Sequence, residues 1–173
     1  MFRNLRITTA CVLATLALSA CATVQKLPAA GDVHALLISI RDEDEATFDS
    51  LVDRKALKKE INRRMLAEVD RRGDARISAV AALLGPQLAD IAGESLVKPQ
   101  VFKAVAEYYG YKPATKIPNV LVISQALRQL PDGRICAISK KDGPCLLDFT
   151  KAPDGHWKLS GFEGDTSMLR LKG

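Results

Sequence analysis

"LPDGRICAISKKDGPCLLDFTKAPDGHWKLSGFE", residues 130–163, contains Asp-Gly three times, at Asp132-Gly133, Asp142-Gly143 and Asp154-Gly155. Asp-Gly between apolar runs is a strong hairpin signal, because tight hairpin turns need positive φ angles that glycine adopts without steric cost. The runs between and after these turns, "RICAIS", "PCLLDFT" and "HWKLSGFE", read as strands. Cys145, Leu147 and Phe149 share one face of the second, and Trp157 and Leu159 one face of the third. Three antiparallel strands follow. The preceding stretch "NVLVISQALRQL", residues 119–130, fits two readings. Val120, Ile123, Leu127 and Leu130 have helical spacing, while the β-branched start and the Asp-Gly that follows suit a fourth strand.

The chain of 173 residues is one domain long, and aromatic residues make up only 5%, so its core must be built mainly from Leu, Ile, Val and Ala. The net charge is +5, and Arg3 and Arg6 contribute to it from a segment expected to be removed. The remainder is too mildly basic to imply nucleic acid as a partner.

That segment is the N-terminus. "MFRNLR" has two arginines and no acid, "ITTACVLATLAL" is a short apolar run, and "SAC" ends it with small residues. This is the pattern of a secretory signal peptide over residues 1–20, and the run falls short of the roughly 20 apolar residues a membrane span needs. Leu18-Ser19-Ala20-Cys21 resembles the lipobox of bacterial lipoproteins. The resemblance implies that Cys21 is the mature N-terminus, carrying a diacylglyceryl thioether and an N-acyl chain such as palmitate. More than two chains suffice for stable membrane anchoring. The alternative is an ordinary Ala-x-Ala site cut after Ala22. Ala22 in place of Asp after the cysteine implies delivery to the outer membrane, facing the periplasm. Residues 21–31 then form a lipidated tether and residues 32–173 a single folded domain.

Cys11 lies in the leader and Cys21 takes the lipid, which leaves Cys136 and Cys145 in an oxidising compartment. A disulfide between them is expected; two small buried thiols are the alternative. Directly opposed cysteines would require a four-residue loop, Ser139 to Asp142, rather than a two-residue turn at Asp142-Gly143. Closing that loop is worth about 2.5–3 kcal/mol in the chain-entropy description. The spacing is not a zinc signature, and His34 and His156 are the only histidines that remain to help. No metal is expected.

The N-terminal half reads as helical. Val33, Leu36, Leu37 and Ile40 form a core-facing stripe, and "RDEDE" opens a second short helix containing Phe48, Leu51 and Val52. Asp42, Glu43, Asp44 and Glu45 lack the glycine and later ligands of a calcium loop, and carboxylates near a helix start suit the macrodipole. Asp53 reads as an N-cap, with Val52 and Leu57 placed for a hydrophobic staple. Leu57, Ile61, Met65 and Val69 then recur on one face. Lys55, Lys58, Lys59, Arg63 and Arg64 occupy the other, followed by Arg71 and Arg72, as a solvated face or one that touches anionic lipid. "ISAVAALLGPQLADIAGESL" is a further helical region, with Val80, Leu84, Leu88 and Ile91 on one side and a kink or restart at Pro86. Pro99 suits the first position of another helix, which directs Val101, Phe102, Val105 and Tyr109 inward and stops at Gly110. Tyr108, Tyr109 and Tyr111 either line a pocket or pack beside the sheet, the latter being the more economical use.

Helices first and an antiparallel meander after them define an α+β fold: about four or five helices packed on one face of a three- or four-stranded sheet. "FDSLVDRKALKKEI", "VKPQVF" and "HWKLSGFE" are moreover similar to a family of small bacterial envelope proteins described as a domain of unknown function. The likeness runs from about Asp32 to Leu171. It implies a fold of the cystatin or nuclear-transport-factor-2 class and carries over no catalytic residue.

Neither His34 nor His156 is flanked by a nucleophile motif such as Gly-x-Ser-x-Gly, and no Gly-rich phosphate loop occurs. A non-enzymatic protein without a cofactor or catalytic residues is therefore expected. Two roles fit. The favoured one is a lipid-anchored envelope protein that holds or stabilises a protein or cell-wall partner. The other is a periplasmic binder of a small apolar ligand, with its pocket between helices and sheet. An apolar cavity of several hundred cubic ångströms is what distinguishes the second from the first.

Overall fold

A computed structural model of the chain describes residues 26–71, 91, 94–108, 110–140 and 142–162. The C-terminal third is a four-stranded antiparallel sheet in the order β1-β2-β3-β4. Its strands are β1 (Leu127–Gln129), β2 (Ile135–Ile138), β3 (Cys145–Lys151) and β4 (Trp157–Phe162). The first and last Asp-Gly pairs close the turns as expected. Gly133 and Gly155 sit at φ 86° and 90°, and Asp132 and Asp154 accept hydrogen bonds from the backbone N–H two residues on.

The central hairpin differs from the sequence expectation. Cys136 pairs with Asp148, and Ile138 with Cys145, with a register shift between Ala137 and Ile138. Leu146 is the extra residue on β3. The two cysteines are thus diagonal rather than directly opposed, and the bulge brings their Cα atoms to 5.5 Å, where the disulfide forms. β2 ends at Ile138 and β3 begins at Cys145, so the strands are further apart in sequence than a loop of Ser139 to Asp142 would place them. A second shift, between Asp148 and Phe149, leaves Ser160 as the extra residue on β4. On β3 itself the adjacent Asp148 and Phe149 are both buried, while Leu147, expected on the inner face, is exposed.

The ambiguous stretch 119–130 is both things in succession. Asn119 caps a short helix over Val120–Gln125 by accepting from the Val122 N–H, and β1 begins two residues after that helix ends.

Among the described residues the helices are, in chain order, α1 (residues 26–42), α2 (Glu45–Ser50), α3 (Arg54–Arg71), α4 (Pro99–Tyr108) and α5 (Val120–Gln125), and residues 94–96 are also helical. Val33 and Leu36 of α1 are buried, with Leu37 and Ile40 packed against the core. Residues 26–31, read from the sequence as part of the tether, are helical and belong to α1. Ala29 and Ala30 are fully buried there, which a solvated tether could not provide. Asp44 caps α2 and Asp53 caps α3, accepting from the N–H groups of Thr47 and Ala56. Pro99 opens α4. Its inward face runs Pro99, Phe102, Ala106, so Val105, expected inside, lies off the stripe and is 45% exposed. Residues 72–90, with Val80, Leu84, Pro86 and Leu88, and the side chains of Met65, Val69 and Tyr109 lie outside the described residues. Ile91 is exposed.

The helices pack on one sheet face. Phe48, Leu51, Leu57 and Val97 from the helical half meet Ile135, Phe149, Trp157 and Leu159 in one buried cluster. Phe48 and Phe102 stack edge-to-face with ring centroids 5.3 Å apart. The segment between α2 and α3 runs alongside β4: the Asp53 N–H donates to the Leu159 carbonyl, and the Leu159 N–H to that of Leu51, each at 2.9 Å. Val52 and Leu159 thereby form a parallel bridge.

Candidate functional site

Cys21, with the leader and Cys11, lies outside the described residues. Cys136 and Cys145 are joined, and the Asp148 carboxylate lies within 4.8 Å of both sulfurs. Both thiols are committed to the disulfide, so this cluster offers no thiolate to a metal.

The acidic run 42–45 is taken up locally. Asp42 pairs with Arg41, Glu43 with Lys103, Asp44 caps α2, and Glu45 accepts from Gln100. The basic face of α3 is partly turned inward too. Lys58 pairs with Glu94, and Glu60 binds both Arg63 and Arg64. The Arg64 guanidinium lies 4.5 Å over the Phe162 ring. Lys55 and Lys59 remain exposed.

Asp32, on α1, and His156, at the start of β4, meet across 124 positions of sequence. One Asp32 oxygen lies 3.0 Å from His156 Nδ1, and the other accepts the Trp157 N–H at 2.7 Å. A carboxylate on Nδ1 is how catalytic histidines are oriented. Among the described residues, however, no Ser, Thr or Cys side chain is hydrogen-bonded to this ring, and the bond to Trp157 makes Asp32 a clasp between α1 and the β3–β4 hairpin. The hydrogen bond that the His156 ring donates to Asp32, helped by the carboxylate's charge, raises the His156 pKa above its ordinary 6.5. A raised folded-state pKa contributes stability that is complete below about 6.5 and is lost as pH climbs through the folded value. Unfolding midpoints measured at about pH 5.5 and pH 8 should therefore show the clasp helping more at the lower pH, and Asp32→Asn should abolish that component. An unchanged pH profile in Asp32→Asn would refute the assignment.

A cleft of about 250 Å³ lies between α1, α4 and the segment that follows α4. Leu37, Ile40 and Arg41 fall at i, i+3 and i+4 and so line it from one face of α1. Opposite, α4 ends in a Schellman turn. Gly110 adopts φ 94°, its N–H donates to the Glu107 carbonyl, and the Tyr111 N–H reaches back to that of Ala106. This turn brings Tyr111 against Ala106, and the chain continues past Lys116 to the buried Ile117.

The accessible walls are overwhelmingly apolar, with Arg41, Tyr111, Thr115 and Lys116 as their polar residues. The Tyr111 hydroxyl oxygen is buried and, among the described residues, has no hydrogen-bond partner. A buried polar group left so costs about 1–3 kcal/mol. Arg41 donates through Nε and Nη2 to the two Asp42 oxygens, at 2.7 and 2.8 Å. Asp42 holds the guanidinium above its ordinary pKa, and the Tyr111 phenol acts in the same direction, so the two groups lie within electrostatic reach of one another.

The sequence reading placed a ligand pocket between helices and sheet. Phe48, Leu57, Phe149 and Leu159 pack that interface, and the cleft lies instead between α1, α4 and the segment that follows α4. Of the three tyrosines, Tyr111 lines the cleft, which is the pocket-lining alternative, and Tyr108 is exposed. Sequence reasoning passed over Asp32 and Arg41, since neither belongs to a local motif. The Gly110-Tyr111 stop was the one available pointer to the cleft.

A family model described as "Protein of unknown function (DUF2939)" matches the chain over residues 11–105. No curated protein and no solved structure matches it.

Proposed function

The chain belongs to the family described as Protein of unknown function (DUF2939), and we propose from its own residues that it is a lipid-anchored envelope protein that works by binding rather than by catalysis. Cys21 carries the acyl chains, and the domain stands on the periplasmic face of the outer membrane. The ligand is small and largely apolar, and it occupies the cleft between α1 and Tyr111. The observation that carries this reading is a cleft whose accessible lining is mostly apolar, with Arg41 and Lys116 among its few polar residues. Binding sites of small molecules combine those features: apolar lining and a few placed polar groups. Holding an envelope protein or cell-wall partner is the second reading. Leu121 and Val122, 65% and 51% exposed on α5, favour it as apolar contact points.

The anchor has a direct test. Mass spectrometry of the mature N-terminus should find an acylated Cys21, and Cys21→Ser should leave the protein soluble or unprocessed. An unmodified N-terminus at Thr23 would overturn the anchor and leave export alone.

A further inference from the structure

We infer that the end of the domain formed by Lys26–Pro28 of α1 and the β3–β4 turn rests on the bilayer that holds the anchor, and that anionic phospholipid is its partner there. The inference rests on the anchor at Cys21 proposed above and adds which surface of the domain meets the membrane. Distance comes first. Lys26 already belongs to α1, five residue steps from Cys21. Fully extended, five steps reach at most about 18 Å, so this end of α1 is held within that span of the headgroups. Asp32 stands about 9 Å further along the helix axis. There its carboxylate holds the His156 ring and the Trp157 N–H, at 3.0 and 2.7 Å, and so fixes the β3–β4 turn beside α1. The segment between β2 and β3 joins the opposite end of β3, a strand of seven residues and about 20 Å. One end of the sheet is thus next to the anchored helix and the other is remote from it.

Composition fits a headgroup layer. Leu27, 42% exposed, and the exposed Pro28 follow Lys26, and Lys151 and Pro153 are exposed where the β3–β4 turn begins. Among the described residues of this end, Lys26, Lys151 and Lys158 face two carboxylates, Asp32 and Asp154, and Asp154 is already paired with Lys158. The surface is therefore positive even with His156 neutral. Basic side chains at a membrane surface are drawn to anionic lipid, and an exposed apolar side chain among them enters the headgroup boundary.

The test places a fluorophore at one end or the other of the acylated mature protein, in nanodiscs that contain phosphatidylglycerol and a headgroup-bound quencher. Pro153→Cys carries the label at the near end and Lys140→Cys, exposed between β2 and β3, at the far end. Cys136 and Cys145 are joined and do not compete for the label. The label at 153 should be quenched several-fold more than the label at 140. Lys26→Glu together with Lys151→Glu should lower the docked fraction about tenfold and bring the two labels to similar quenching. Replacing phosphatidylglycerol by phosphatidylcholine should act on the wild-type protein in the same direction. Equal quenching at both positions, or stronger quenching at 140, in discs that still hold the acylated protein would overturn the docking surface and leave the anchor standing. Preferential quenching at 153 that is unchanged in phosphatidylcholine would overturn the assignment to anionic lipid. Protein without an acyl group that does not stay on the discs would overturn the anchor and the surface together.

Discussion

Phe48→Ala should lower stability by about 3–5 kcal/mol, the range for emptying a buried aromatic site. Phe48 is fully buried although it belongs to a helix of only six residues. A helix that short has no stability of its own in water and depends on tertiary packing. Its N-terminus is secured by Asp44, which accepts from both the N–H and the hydroxyl of Thr47. Everything else rests on the ring, which meets Phe102 edge-to-face and shares a cluster with Leu51, Leu57 and Leu159. Truncation would open a cavity at the point where α2, α4 and the sheet converge. Thermal unfolding should show the midpoint falling by roughly 10 °C. A change below about 1 kcal/mol would mean that α2 does not hold the core together.

Removing the disulfide with Cys136→Ala and Cys145→Ala together should cost about 2–3 kcal/mol. The bond closes a short loop, of sequence separation 9, and acts chiefly on the unfolded chain by limiting its conformations. The double variant leaves neither a lone thiol nor a change in charge, and the nearby Arg134–Asp148 pair at 3.1 Å stays in place. Urea unfolding should show a lower midpoint and a somewhat steeper dependence on denaturant, since the unlinked chain exposes more surface. Both cysteines are buried in the native state, at 0% and 5% exposure. Reduction of the wild-type protein by dithiothreitol should therefore proceed only as fast as the domain opens. Rapid reduction under native conditions would contradict that burial.

What the sequence disclosed and what it withheld divide along range. Local chemistry was legible: Asp-Gly turns, the caps Asp44 and Asp53, Pro99 at a helix start, and the stripe Val33, Leu36, Leu37 and Ile40. Each depends on residues within a few positions of one another. Register was not legible, because Leu146 and Ser160 carry no mark that distinguishes an inserted residue from an ordinary member of a strand. The bulges they create redirect Leu147 outward and bring Cys136 and Cys145 together diagonally. Residues 119–130 misled for a different reason. One apolar pattern serves a short capped helix and then a strand, and the switch at Ala126 is set by the sheet it joins. The clasp of Asp32 on His156 and Trp157 is set by tertiary distance alone. The cleft was half legible. Gly110 announced the turn, but that Arg41 faces it depends on how α1 and α4 pack.

The short run Leu51–Asp53 also protects the molecule from its own kind. The outermost strand of any sheet offers a row of unpaired N–H and C=O groups to the next extended chain it encounters, the template from which aggregates grow. On the β4 side, Leu159 has both of its outward-facing backbone groups already bonded to Leu51 and Asp53. The opposite margin is β1, three residues long and held between a helix and a turn. Neither margin leaves much length on which a second chain could be copied. That is a safeguard against fibrous self-association.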